Sequence, residues 1–247
     1  MDPEALDSPA RIAEIRAIID RKPSLKQFYR EIYERYAECL GRCPSRGLAL
    51  ELGSGGGFAK EVLPELITSD ILPYDGVDRV VDATRLPFGD ESLRFIGMTN
   101  VFHHIPDVER FFREAERCLT AGGRILIVDQ HPGFISRPLL KYLHHEPYAP
   151  DVEEWRFATT GPLSGANGAL PWIVFVRDRE RFARLFPRLR VVCYRPHTPL
   201  RYWLAGGLKR WDLLPGRAIG IISALERLLL RCSPDFGSFA DIEIQKI

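Results

Sequence analysis

The residues that could do chemistry stand where short apolar runs stop. The first run, Leu48-Ala49-Leu50-Glu51-Leu52, carries an acidic residue near its end and breaks into Gly53-Ser54-Gly55-Gly56-Gly57. A buried strand that ends in glycines leaves main chain open to close approach, because Gly53, Gly55 and Gly57 lack a Cβ and tolerate positive φ. With the Glu51 carboxylate beside it, this stretch reads as a cradle for a cofactor. Spacing argues against two kinds. A dinucleotide fingerprint needs G-x-G-x-x-G, but the sixth position is Phe58 counted from Gly53 and Lys60 counted from Gly55. A phosphate loop needs Gly-Lys followed by Ser or Thr, whereas Lys60 follows Ala59 and precedes Glu61.

Later runs end in the same way. Asp70 lies nineteen residues after Glu51 at the end of a second run. A carboxylate there can accept both hydroxyl protons of a ribose diol, although an Asp before a loop also forms turns. Asp82-Ala83 ends a third run, and Asn100, Phe102, His103 and His104 follow a fourth. A neutral imidazole can take a proton near pH 7, so His104, or His103 beside it, is the candidate base.

Alternating strands and crossovers must position these residues. Strands are expected at residues 48–52, 66–71, 79–82, 94–101, 124–129, 189–194 and 239–247, with a short helix over 58–63. Only a loop separates the second and third strands, too short for a crossover helix. The clearest helix starts at Asp107 as N-cap, lines up Val108, Phe111, Phe112, Ala115, Cys118 and Leu119, and stops at Ala121-Gly122-Gly123. Such a chain builds a doubly wound α/β sheet, with Glu51, Asp70, Asp82, Asn100 and Asp129 all at strand carboxyl ends.

Taken together, E-x-G-x-G-x-G, Asp82-Ala83, Leu86-Pro87-Phe88, Asn100-Val101-Phe102-His103-His104-Ile105, Cys118-Leu119 and Gly122-Gly123 resemble the methyltransferase type 11 family of class I S-adenosylmethionine (SAM) dependent methyltransferases. The resemblance spans residues 48–129, about a third of the chain. It implies a seven-stranded Rossmann-like fold and SAM held by Glu51, Gly53, Ser54, Gly55, Gly57, Asp70, Ile71, Asp82, Ala83 and Asn100. Asp82 would accept from the adenine amino group, and the second histidine of the pair, His104, recurs in such enzymes. Two alternatives stand beside the enzyme: a catalytically silent methyltransferase-like partner protein, and a nucleotide-cofactor oxidoreductase.

The flanking parts set the substrate question. Residues 1–45 are expected to form N-terminal helices broken at Pro23, with Tyr29 and Tyr33 either in the core or closing over the cofactor. Residues 46–132 form the SAM-binding core of a single domain over 1–247. Residues 133–175 read as a substrate-lid insertion in which His144 and His145 are solvated, without metal-ligand spacing; no metal is expected. In the remaining 176–247, a helix over 175–186 displays Arg177, Arg179, Arg181 and Arg184. The segment Pro199–Cys232 is apolar and carries six basic residues against two acidic ones. It reads either as helices packed on the sheet or a second subunit, or as a surface resting on anionic lipid.

Overall composition points to no nucleic-acid partner: 34 basic and 33 acidic residues leave a net charge of +1. A small-molecule, glycan or lipid-linked acceptor is the expectation. Five scattered cysteines suggest free thiols in a reducing cytoplasm, and the N-terminal residues do not resemble a signal peptide. The expected location is therefore cytoplasmic or membrane-peripheral.

Overall fold

In a computed structural model, described for residues 8–158, 161 and 165–247, seven strands form one sheet. They are β1 (Leu48–Leu52), β2 (Ile67–Asp70), β3 (Arg79–Val80), β4 (Leu93–Thr99), β5 (Leu119–Gln130), β6 (Leu189–His197) and β7 (Phe239–Lys246). Their order is β3-β2-β1-β4-β5-β7-β6. The first five run parallel, and β7 is antiparallel to both β5 and β6. After β3 the chain returns to the far side of β1, so the order reverses between β1 and β4. That reversal opens a crevice at their carboxyl ends.

Strand alternation feeds two cores. In β4 and β5, Phe95, Leu126 and Val128 join one core, while Ile96, Met98, Ile125 and Ile127 join the other. The first core takes the aromatic stripe of α2 (Pro23–Leu40), which follows α1 (Pro9–Arg21) after the break at Lys22. Gly97 permits the contact, since a Cβ there would sit 2.7 Å from the Tyr36 ring. The second core takes α3 (Val108–Cys118), whose N-cap Asp107 accepts from the Arg110 backbone N–H at 3.0 Å. Its buried face is Val108, Phe111, Phe112, Ala115 and Cys118, as the periodicity requires.

Three local expectations are corrected. The helix over 58–63 is a single 3-10 turn, Ala59–Glu61, because Pro64 leaves no room for a longer one. The helix over 175–186 is interrupted: a wide turn at Ile173–Arg177 precedes the helix Arg179–Leu185. Nor do its arginines simply face solvent. Arg177 donates to the carbonyls of Pro150 and Val152, and Arg181 to that of Glu153. These bonds fasten the insertion to the domain.

Trp155 is the insertion's apolar anchor. It is 1% exposed, donates from Nε1 to Asp178 at 2.8 Å, and lies beneath the Arg181 guanidinium 4.6 Å from its ring. Backbone bonds from Val108 to the Trp155 carbonyl and from Phe157 to the Pro106 carbonyl join it to the start of α3. Trp155→Ala is therefore expected to cost about 3–5 kcal/mol of folding stability. Denaturant unfolding measures it; a wild-type midpoint would show that the insertion does not share the core.

Candidate functional site

The crevice between β1 and β4 opens into a cavity of about 1160 Å³. Every residue the motifs nominated for the cofactor lines it: Glu51, Gly53, Ser54, Gly55, Gly57, Asp70, Ile71, Asp82, Ala83 and Asn100. Their surroundings differ in kind. Glu51 is 2% exposed and accepts from the Ser54 hydroxyl at 2.7 Å. Burial pushes its carboxyl up to about 7; the Ser54 bond opposes this and the nearby Asp70 charge adds to it. Asp70 is raised too, first by burial, although the amides of Leu72 and Gly55 donate to it. Gly55 N meets Asp70 Oδ2 at 3.0 Å, so the first glycine turn and the second strand end are tied together.

The glycines divide their work. Gly53 and Gly55 have φ of 65° and 48°, in the left-handed region. A Cβ on Gly53 would strike Val101, whereas one on Gly55 would project into free space, with only the Gly53 carbonyl 3.9 Å away. Gly57 serves a different purpose from the one its spacing suggests: a Cβ there would lie 2.2 Å from the Tyr33 hydroxyl, so its bareness admits a core tyrosine. Asn100 also has positive φ, 55°, and its buried amide faces the Tyr29 hydroxyl. Strain of this kind at a strand end persists only where the surroundings fix it. Asp82 Oδ1 accepts from the Thr84 amide and hydroxyl, both at 2.8 Å, so this carboxylate also caps its turn at the cavity's edge.

The N-terminal helices cover this end. Ile12, Ile15 and Ile19 of α1, with Tyr29 and Tyr33 of α2, line the cavity, and both tyrosines are buried. Tyr29 and Tyr33 are core residues that also face this cavity. Lys22, between the helices, is 2% exposed and donates its ammonium to the carbonyls of Ala205, Gly207, Lys209 and Trp211 at 2.5–3.1 Å. Alternate carbonyls can turn inward because Gly206 and Gly207 have φ of 71° and 50°. One buried cation thus shapes the loop that forms the cavity's far wall, a feature that no motif announced.

At the other end the insertion meets β4 and β5. His103 is buried, with Nδ1 at 2.6 Å from Asp129 and Nε2 at 3.2 Å from Glu146. Burial alone would lower its pKa, but the Asp129 and Glu146 charges outweigh that and push it up to about 10. Glu146 in turn is held well below the usual carboxylate range: burial would raise it, and the His103 charge overcomes this. The two flanking carboxylates favour the protonated ring, so His103 suits the role of base less well than His104. His104 places Nδ1 at 2.9 Å from the Gly165 carbonyl and Nε2 at 3.5 Å from Glu146, on the cavity wall.

His144 is no solvated loop residue, since burial lowers its pKa to about 4 and its Nδ1 lies 3.4 Å from Glu146; His145 is half exposed. Asn167 holds the insertion over the histidines, donating its backbone N–H to the His103 carbonyl at 2.9 Å. Leu163 and Ser164 of the same stretch lie outside the described residues. Sequence reading missed Glu146 entirely. A lone Glu in a Pro- and His-rich loop carries no signal until folding brings it forty residues back to the histidine pair.

The Glu51 environment gives a pH dependence. SAM is cationic at its sulfonium and ammonium groups, so an ionised Glu51 favours it and a protonated one must first lose its proton. SAM affinity is expected to rise from pH 6 to pH 8, by up to about tenfold per unit below the Glu51 pKa, and then level off. Glu51→Gln should flatten the profile. Calorimetric titration across this range decides it; an unchanged slope in the variant would detach Glu51 from the ligand.

Comparison with known proteins follows the geometry. The family description "Methyltransferase domain" matches residues 50–127. A search of curated protein sequences finds no match. Among solved structures, the chain is similar to geranyl diphosphate C-methyltransferase from Streptomyces coelicolor A3(2), in complex with Mg2+, geranyl diphosphate and S-adenosyl-L-homocysteine. That likeness has 15% identity and a TM-score of 0.50, covering 90% of this chain and 82% of that one. It is also similar to a chain in the complex between the Haloferax volcanii Trm112 methyltransferase activator and a methyltransferase, with 16% identity, a TM-score of 0.50, and coverage of 94% and 98%. These likenesses show a shared fold. On that fold, residues 50–127 match the methyltransferase domain and the glycine cradle stands at the switch point, which together support SAM-dependent methyl transfer with SAM as cofactor.

Proposed function

We propose that the acceptor is an amphiphile: a lipid-linked or isoprenoid-like molecule whose nucleophile enters the polar end of the cavity while its apolar part lies along the outer wall. The carrying observation is that one cavity of about 1160 Å³ is lined both by the SAM cradle and by a second, largely apolar group of residues, here called the second chamber. Its volume exceeds the roughly 300–1,000 Å³ that one drug-sized ligand fills. The second chamber is walled by Leu139, Leu143, Trp203, Leu208 and Trp211, with His104 and Glu146 at its polar end. The geranyl diphosphate held by one structural neighbour is an amphiphile of this kind.

The reaction itself asks little of the protein. A lone pair on an acceptor oxygen or nitrogen forms a bond to the SAM methyl carbon as the carbon–sulfur bond breaks, its electrons neutralise the sulfonium, and the acceptor releases one proton. Alignment supplies most of the acceleration, and the polar end must accommodate that proton. His104 is the proposed residue there, beside the anionic Glu146.

The outer surface supports delivery from a membrane. The helix Ile219–Cys232 buries only Glu226 and exposes Ile221 (73%) and Leu228 (57%), whereas Tyr202 and Ala205 earlier in the segment pack into the core beside Phe28 and Phe239. Leu213, Tyr142 and Leu143 are exposed as well, and Leu143 belongs to the cavity wall. Arg201 leaves the basic face, since it pairs inward with Glu31 and Glu226, but Lys209, Arg217, Arg227 and Arg231 remain exposed. Among the described residues no helix is long and apolar enough to cross a membrane.

Each exposed Lys or Arg contributes about 1 kcal/mol near an anionic bilayer, so binding to phosphatidylglycerol vesicles is expected at low salt, with phosphatidylcholine vesicles bound weakly. Incubation with methyl-labelled SAM and a cell extract should place label in the butanol-soluble fraction, and His104→Ala should reduce it without moving SAM affinity. A dimer at every salt concentration that ignores vesicles would assign the apolar helix to a subunit interface. Label confined to the aqueous phase would sink the amphiphilic acceptor.

A further inference from the structure

Two imidazoles and one carboxylate converge at the polar end of the second chamber. The Nε2 atoms of His103 and His104 and a carboxylate oxygen of Glu146 all lie within 4.8 Å of one another. We infer that these three side chains form a binding site for one divalent transition-metal ion of the Zn2+ class, open to the acceptor chamber. The site stands on its own geometry; the ion's part in methyl transfer rests on the acceptor reading given above.

Distances fit such an ion. Zn2+ bound at about 2.0–2.2 Å to nitrogen and oxygen in a tetrahedral arrangement sets its ligands about 3.3–3.5 Å apart. Two contacts already approach that spacing, 3.2 Å from His103 Nε2 to Glu146 Oε2 and 3.5 Å from His104 Nε2 to Glu146 Oε1, so the carboxylate turns one oxygen to each ring. The shorter contact lacks hydrogen-bond alignment, so among the described residues His103 Nε2 is a buried nitrogen without a well-aligned hydrogen bond. Two atoms that face a common point, and not each other, behave in this way. The donor set, two imidazoles with one carboxylate, suits zinc, iron or nickel, while Mg2+ and Ca2+ prefer oxygen ligands alone.

The surrounding bonds are those that orient metal-binding histidines. Each ring commits its other nitrogen elsewhere: His103 Nδ1 to the fully buried Asp129 at 2.6 Å, and His104 Nδ1 to the Gly165 carbonyl at 2.9 Å. Those acceptors hold the hydrogen on Nδ1 and turn the Nε2 lone pair toward the ion. Gln130 donates to Glu146 at 3.3 Å and steadies the carboxylate. The ring centroids of His103 and His104 are only 4.2 Å apart, which keeps both edges on one side. His144 and His145 approach Glu146 at 3.4 and 3.7 Å and line the same cavity.

Three protein ligands leave a fourth position facing the chamber, as catalytic zinc sites do. With the ion bound, His104 holds it instead of taking the acceptor's proton: an acceptor hydroxyl on the ion would lose its proton to water more readily, and the oxygen–methyl bond would then form as the carbon–sulfur bond breaks.

The test uses the full chain stripped with EDTA and dialysed. Titration with Co2+, followed by visible absorption and by metal analysis after gel filtration, is expected to give one ion per chain, and Zn2+ should displace it and raise the melting temperature by a few degrees. His104→Ala and Glu146→Gln should each weaken Co2+ binding at least about tenfold while retaining SAM binding and near-ultraviolet circular dichroism. Absence of stoichiometric Co2+ and Zn2+ binding would overturn the inference and leave a proton on His103 in the ion's place. So would equal affinity in folded Glu146→Gln. SAM titration of the wild-type chain separates the two readings: a protein that binds Co2+ but no SAM keeps the metal site and loses the methyltransferase assignment, and the reverse result keeps the enzyme and loses the ion.

Discussion

The pairing of β1 with β4 is the constraint on which the site depends. Leu50 stands opposite Ile96 and Leu52 opposite Met98, so the two strands end side by side at the middle of the sheet. From there the chain leaves in opposite directions, toward β2 and toward β5, and neither exit can fill the space between. The crevice is therefore a topological product of the strand order, not of any one side chain. Both strand ends pay in backbone conformation, Gly53 and Asn100 each taking positive φ. Glycine takes it without strain; Asn100 is the non-glycine member and sits where a ligand would touch.

Buried charge organises the two ends of the cavity differently. At the cradle, Glu51 and Asp70 are both raised toward neutrality by burial, Glu51 also by the nearby Asp70 charge, a state that a cationic ligand relieves. At the acceptor end, Asp129 and Glu146 flank His103, and the three charges sustain one another in a site that water hardly reaches. A carboxylate-lined cradle and a histidine-rich far end thus share one continuous cavity, the first built from the ends of β1 and β2, the second from β5 and the insertion that carries Glu146.

Cover is supplied from three distant parts of the sequence. Helices α1 and α2 close the cradle, the insertion after β5 brings Leu139 to Glu146, and the loop from Ala205 to Trp211 is drawn in by Lys22. A lysine buried among four carbonyls is electrostatically satisfied only if those carbonyls stay in place, which couples the order of the far wall to the link between α1 and α2. The cover and the cradle therefore form one cooperative unit around the space they enclose.

Much of the fold was legible in the residues alone. The seven strands, the Asp107 cap, the α3 face and the missing crossover after β2 follow from periodicity and turn chemistry, because those signals are local. The gathering of glycines and carboxylates around one cavity was equally legible, since their places at strand ends are local consequences of strand termination. What tertiary structure alone decided is long-range. The interruption at Arg177–Asp178, the inward turn of Arg201, the exposure of Ile219–Cys232 and the Lys22 cage all depend on what packs against them. Above all, Glu146 meets His103 and His104 only because the insertion folds back over β4 and β5, and a contact across forty residues leaves no trace in spacing, since nothing in the chain between them has to carry the pattern.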